Sequence, residues 1–326
     1  MTEPVIRPDV RAFLDYLKGL DAPPLHTLDP PTVRANNRAA RQLTEVPVGE
    51  IALMRDLSMP GPEGGKIGLR LFDANPDRPP GPVVVYYHGG GFVIGDLDTV
   101  GPLCAEISRT LDLPVVSVDY RMGPEHRFPC AQIDAEAAAR WVASAPDALG
   151  LKPTSLVLAG DSAGGLLTIT SALALRDDPA AVPVIAQWPI YPTVGPARDY
   201  ASFDAFGEGY FLTKPMMAWF DGHYPTDPKD WRASPILADQ SGMPATLVLT
   251  ASLDPLLDQG RAYAAKTIAA GVPTVYREAI GTIHAFATLR QAMPSGRADI
   301  AASLAVLKTM IVEAEANRVM AQAAGQ

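Results

Sequence analysis

The sequence predicts an α/β protein whose mostly parallel sheet is covered by helices on both faces. One observation is the alternation of short, continuously apolar runs, such as residues 83–87, 115–118 and 155–159, with helix-length segments. Strands buried on both faces read in this way, because neither face meets water. The second is Gly160-Asp161-Ser162-Ala163-Gly164, which follows one of these runs and precedes Leu166, Leu167, Thr168 and Ile169, so the motif occupies a strand-to-helix turn. The third is bulk composition: 326 residues, 48% of them hydrophobic, suffice for a large core in one embellished domain or in two.

Taken in order, residues 9–20 carry Val10, Phe13, Leu14 and Leu17 at amphipathic-helix spacing, and Gly19 marks the end. A proline-rich connector (22–31) leads to a second helix (32–45). Both precede the first strand, and a cap over the carboxyl edge of the sheet is a candidate position for them. Strands are expected at 50–58 and 67–72, joined by a hairpin turn at 60–65, and then at 83–87 and 115–118 with a helix (99–111) between them. A helix at 131–145, with Trp141 on its inner face, precedes the strand at 155–159. Further strands at 184–187, 246–250 and 274–278 follow, with a helix at 257–270. Cys104 and Cys130 fall in a helix and at a helix start, which reads as two core residues and no disulfide framework.

The charge balance narrows the partners. The 27 basic and 36 acidic residues give a net charge of −9, and no Lys/Arg cluster interrupts them, which argues against nucleic acid and anionic membranes and for a small molecule. Residues 179–197 are long enough to span a bilayer but hold Pro183, Pro189 and Pro192 among their five prolines, which no spanning helix accommodates. The first residues lack a basic start followed by an apolar run, so the expectation is a cytoplasmic protein without a secretory signal.

Chemistry is read from the strand ends, where ligand sites form in such sheets. The Gly160–Gly164 turn holds Ser162 out at its tip above a helix N-terminus. Chance alone would give about 0.1 occurrence of Gly-x-Ser-x-Gly in a chain of this composition, so the strand-turn-helix setting has to carry the reading against a Ser that merely caps a helix. After the strand at 83–87 comes His88-Gly89-Gly90-Gly91-Phe92. The amides of Gly90, Gly91 and Ala163 are candidates to hold an oxyanion. A phosphate cradle is the weaker reading, since no Gly-Lys-Ser/Thr follows. A hydroxyl nucleophile needs a base. Among His26, His88, His126, His223 and His284, the last stands at the carboxyl edge beyond the final strand and at the expected start of a helix, whereas His88 more naturally fixes its loop. Asp254, shortly after the strand at 246–250, is the carboxylate that would orient His284; Asp258 is its rival, four residues into the next helix.

Together, His88-Gly89-Gly90-Gly91, Gly160-Asp161-Ser162-Ala163-Gly164, residues 119–129 (Asp119-Tyr120-Arg121 through Phe128-Pro129), Asp254-Pro255-Leu256 and His284-Ala285-Phe286 resemble the bacterial hormone-sensitive-lipase family (family IV) of α/β-hydrolase esterases, in its Gly-Asp-Ser-Ala-Gly branch. The similarity covers nearly the whole chain and is weakest over the first 45 residues. In residues 119–129 the chain departs from the commonest wording at Met122-Gly123. The resemblance implies an eight-stranded, mostly parallel sheet with a helical cap, divided as 1–47 (cap helices), 48–194 (core), 195–225 (cap insertion) and 226–326 (core). It also implies hydrolysis of short- to medium-chain carboxylic esters without cofactor or metal, in many members as homodimers. The insertion is aromatic, and Phe206, Tyr210 and Phe211, beside Glu208, are candidates to line the substrate pocket. Amide, lactone or carbamate hydrolysis by the same triad, or a non-catalytic receptor of the same fold, are the alternatives.

Overall fold

Eight strands form one sheet in the computed structural model, which describes residues 4–324. They are β1 (Leu53–Pro60), β2 (Lys66–Asp73), β3 (Gly81–Tyr87), β4 (Val115–Asp119), β5 (Pro153–Asp161), β6 (Val184–Ile190), β7 (Ala245–Leu253) and β8 (Thr274–Ile283). Their spatial order is β1-β2-β4-β3-β5-β6-β7-β8. Only β2 runs against its neighbours, pairing antiparallel with β1 and β4; the pairs from β4 through β8 are parallel.

Alternate side chains of each strand enter opposite cores. Val83, Val85 and Tyr87 join the cluster that contains α4 (Cys130–Ala143), α5 (Ala163–Asp177) and α8 (Leu257–Ala269). Val84 and Tyr86 join the cluster of α3 (Leu97–Leu111) and α9 (Gly296–Ala324). The strands had to be apolar throughout because both faces are covered.

Helix α4 turns Ala131, Ala135, Ala138 and Ala139 inward, so its closest approach to the sheet is made by alanines while Trp141 packs half-buried at the edge. Cys104 is buried in α3, whereas Cys130, expected in the core, is only half-buried because it opens α4; both are free thiols. The larger departure lies at the end of the sheet. Strand β8 runs to Ile283, five residues beyond the expected end, so His284 follows the strand directly. No α-helix starts there: Ala285 sits at φ +66°, a left-handed conformation that breaks off regular structure, and only a 3-10 turn at Phe286–Thr288 follows. The last helix begins at Gly296.

Two segments meet over the carboxyl end of the sheet. Helix α1 (Pro8–Gly19) is fastened beside β8, with the Arg7 amide donating to the Gly281 carbonyl at 3.0 Å and Asp9 accepting from the Ser295 amide at 2.7 Å. Helix α2 (Pro30–Thr44) starts with Pro at its first positions after an Asp29 cap that accepts from the Thr32 amide. The segment between β6 and β7 contributes α6 (Ala201–Phe206) and α7 (Lys214–His223). The indole of Trp219 donates to the Leu28 carbonyl at 3.0 Å, and the rings of Phe13 and Phe211 lie 5.9 Å apart, so the N-terminal segment and this insertion are packed on each other.

Candidate active site

Strand register explains how distant residues converge. Leu253 pairs with Ile283, so the residues immediately after them, Asp254 and His284, emerge side by side from adjacent strand ends. Tyr87 pairs with Gly160, which brings the His88–Gly91 loop beside the turn after β5. That turn is tight. A Cβ on Gly164 would run into the carbonyl oxygen of Tyr87, and one on Gly160 into that of Gly164, so neither position accepts a side chain. Ser162 itself is held at φ 56°, ψ −116°, a conformation costly for a non-glycine residue, at the first turn of α5. Its amide donates to the Ile190 carbonyl on β6 at 2.9 Å, which holds the turn in place.

His284 Nε2 lies 2.8 Å from Ser162 Oγ, and His284 Nδ1 lies 2.6 Å from Asp254 Oδ2. Asp254 has no exposed surface and His284 only 5%, so both are shielded from water beneath the hydroxyl. A buried carboxylate favours the tautomer in which Nδ1–H donates to Asp254, which leaves Nε2 as an acceptor facing the Ser162 hydroxyl. The second oxygen of Asp254 accepts from the Leu256 amide at 2.8 Å, locking the carboxylate's rotation. Tyr191 packs against the imidazole with ring centroids 4.7 Å apart. Asp258 takes no part in the relay; it accepts from the Ser202 amide at 2.9 Å and so anchors the insertion to α8.

Gly90, Gly91 and Ala163 line the same cavity as Ser162 and His284. Gly90 adopts φ +121° and its carbonyl accepts from the amides of Val93 and Ile94, both at 3.0 Å. The phenol of Tyr120 donates to the His88 carbonyl at 2.6 Å and stacks on the imidazole with centroids 4.3 Å apart, so His88 is a buried strut of this loop. His26, His126 and His223 lie off the cavity wall.

Asp161, the unremarked second residue of the Gly-x-Ser-x-Gly motif, turns out to connect the two halves of the site. One of its carboxylate oxygens accepts from the Gly89 amide at 2.9 Å and from the Tyr86 phenol at 2.8 Å. Burial, and then the neighbouring carboxylate, push the Tyr86 phenol well above its ordinary value, so it stays protonated and donates. The glycine loop is thereby tied to the serine turn. Asp161 was visible in the motif, but nothing in its spacing announces a bond to a residue 72 positions away.

The cavity has a volume of about 390 Å³. Of the four pocket candidates in the insertion, Phe211 lines it. Phe206 and Tyr210 do not: their rings pack edge to face on each other, centroids 5.5 Å apart, and lie half-buried against the core that contains Phe13. Glu208 is exposed and lies off the wall. Their place is taken by Leu212, Met216, Met217 and Phe220 from the same insertion, and by Asn37 and Arg41 from α2, which the sequence reading assigned only to a cap. Among the described residues no group of histidine, cysteine or carboxylate side chains is clustered as metal ligands would be, and no helix is long and apolar enough to cross a membrane.

A mostly parallel eight-stranded sheet with a serine at a strained turn after β5, and a carboxylate and a histidine following β7 and β8, defines an α/β hydrolase. The family model described as alpha/beta hydrolase fold matches residues 84–288. The chain is 40% identical over 250 residues to the carboxylic ester hydrolase LipN of Mycobacterium tuberculosis, covering 72% of this chain and 65% of LipN. It is 34% identical to the ethyl acetate hydrolase of Pseudomonas putida, with 86% and 92% of the two chains covered. In structure it is similar to the ester hydrolase EH1AB1 from the metagenome of Lake Arreo, complexed with a bipyridine phosphonate derivative, at a TM-score of 0.89 and 36% identity over 93% of this chain and 98% of that one. The chain belongs to the α/β-hydrolase-fold family, within which it is a carboxylic ester hydrolase.

Proposed function

We propose that this protein hydrolyses short- to medium-chain carboxylic esters through an acyl-enzyme on Ser162, and that it is a member of the Gly-Asp-Ser-Ala-Gly branch of the hormone-sensitive-lipase-like esterases. The observation that carries the reading is the unbroken line from Asp254 through His284 to Ser162 at the wall of the cavity. A cavity of about 390 Å³ suits small esters, and the relative named for ethyl acetate supports a short acyl chain.

In the proposed reaction, His284 Nε2 takes the Ser162 proton as Oγ bonds to the ester carbonyl carbon, and the amides of Gly90, Gly91 and Ala163 hold the resulting oxyanion. His284 then passes that proton to the leaving alkoxide as the C–O bond breaks, releasing the alcohol. Water repeats the sequence: it gives a proton to His284, adds to the acyl carbon, and the acid leaves as Ser162 recovers its hydrogen. The segments 1–47 and 195–225 form the proposed cap over this site. Two free thiols fit the proposed cytoplasmic location.

The test is a pre-steady-state assay with a p-nitrophenyl acyl ester. Wild-type protein is expected to release a burst of nitrophenol equal to the enzyme concentration, and Ser162→Ala none. Equal turnover by both proteins would remove Ser162 from the mechanism.

A further inference from the structure

The cavity wall contributed by α2 is polar, and its Arg41 joins Asp161, Arg198 and Asp221 as the charged residues that line the site. Val33, Asn37 and Arg41 follow one another at intervals of four, so they share one stripe of the helix, and Glu45 lies just past its end as the C-cap. The two ends are accounted for: Val33 is buried in the core, and Glu45 forms an ion pair with the buried Arg290 at 2.7 Å. The middle is not. Asn37 and Arg41 line the cavity that holds Ser162 and His284.

Arg41 donates to the Thr288 carbonyl and, among the described residues, forms no ion pair. Desolvation by the surrounding protein pushes its guanidinium below its ordinary value, and the leading opposing influence is Asp161. That carboxylate is not free to pair with it, because one oxygen already serves Tyr86 and Gly89 and no oxygen lies within ion-pair distance of Arg41. A guanidinium carries five donors, and only one of Arg41's is bound to a protein partner among the described residues. Arg41 keeps part of its surface open, so water solvates its charge until a substrate displaces that water, and the displacement costs free energy unless the substrate compensates it. The catalytic reaction requires nothing of it: the relay and the oxyanion amides are complete without Arg41.

We propose that Arg41, assisted by the Asn37 amide, is a specificity residue that recognises a free carboxylate on the substrate, so that monoesters of dicarboxylic acids are a preferred substrate class. This rests on the ester-hydrolase reading given above and adds the chemistry of the group remote from the scissile bond. A planar guanidinium is suited to a carboxylate, which it can meet with two parallel N–H···O bonds. A neutral acyl chain of the same length would displace water from Arg41 and leave it unpaired, so the discrimination comes from both sides.

Two measurements test it. Wild type, Arg41→Met, Arg41→Lys and Asn37→Asp are compared on the monoethyl esters of succinate, glutarate and adipate and on ethyl esters of monocarboxylic acids of matching length. The expected result is a fall of about tenfold to a hundredfold in the ratio of kcat/KM, monoester over neutral ester, for Arg41→Met, appearing in KM rather than kcat. Arg41→Lys recovers part of the ratio, and Asn37→Asp, which sets a carboxylate beside Arg41, lowers it. An unchanged ratio in Arg41→Met and Asn37→Asp overturns the proposal, since a structural role through Thr288 would depress both substrates alike. In the second measurement, calorimetry compares monoethyl glutarate binding to Ser162→Ala and to Ser162→Ala with Arg41→Met. Weaker binding in the latter by the same factor supports the site without reference to turnover, and equal binding overturns it. Failure of wild type to hydrolyse either ester would instead count against the hydrolase reading, and the calorimetric pair still decides on Arg41.

Discussion

Replacing Asp161 by alanine tests whether this carboxylate anchors the glycine loop to the serine turn. The carboxylate accepts two hydrogen bonds, from the Gly89 amide at 2.9 Å and the Tyr86 phenol at 2.8 Å, and is only 5% exposed. Bonds to a charged group contribute about 1.5–3 kcal/mol each, so their loss costs about 3–6 kcal/mol. These figures are already net of desolvation, and the substitution also leaves the fully buried Tyr86 hydroxyl without its acceptor, so a loss of this size in unfolding free energy is expected. Activity falls as well, for a separate reason. Gly89 precedes the two proposed oxyanion donors, and an unanchored loop places Gly90 and Gly91 poorly; loss of one such donor costs about 10²–10³ in kcat. Asp161→Asn keeps an acceptor oxygen for both bonds while deleting the charge, and is expected to retain kcat within about tenfold. The assays are kcat on a p-nitrophenyl ester and urea unfolding for all three proteins. Equal kcat in the alanine variant and wild type, or equal losses in alanine and asparagine, would refute the anchoring role.

Asp254→Asn preserves the shape of the relay but lets His284 adopt the wrong tautomer, and kcat is expected to fall about 10⁴-fold with little change in KM; steady-state kinetics on the same ester read this directly. Trp219→Phe deletes the bond to the Leu28 carbonyl that ties α7 to the N-terminal connector, costing about 1 kcal/mol in urea unfolding. Acid stability has a specific contributor in Glu125, which Arg34 grips with two bonds of 2.7 Å and holds down at about 2, from an ordinary 4.5. Because the folded value is the lower one, this contribution is complete above pH 4.5 and is lost as pH falls toward 2. Glu125 is half exposed, so the effect stays at about 1 kcal/mol or less; Arg34→Met should flatten the fall in urea midpoint between pH 5 and pH 2, and an unaltered profile would dismiss the pair.

Much of the molecule could be read from local pattern, because the interactions responsible are local. Apolar runs of strand length mark the buried strands, two glycines flanking Ser162 mark a turn too tight for side chains, and the order of Ser162, Asp254 and His284 follows the strands that carry them. What tertiary structure alone decided is distance. Ser162 and His284 are 122 residues apart and Asp254 and His284 are 30 apart, and they meet because parallel register aligns their strand ends. The apolar pattern marks a strand only to residue 278, yet pairing with β7 carries β8 through Gly281 and Thr282 to Ile283. Phe206 and Tyr210 are as aromatic as Phe211, and only packing determined that they face each other while Phe211 faces the cavity. The bond from Asp161 to Gly89 and the approach of Arg41 to the site share that cause: a side chain's partner is set by which surfaces fold against each other, and composition and spacing carry no record of it.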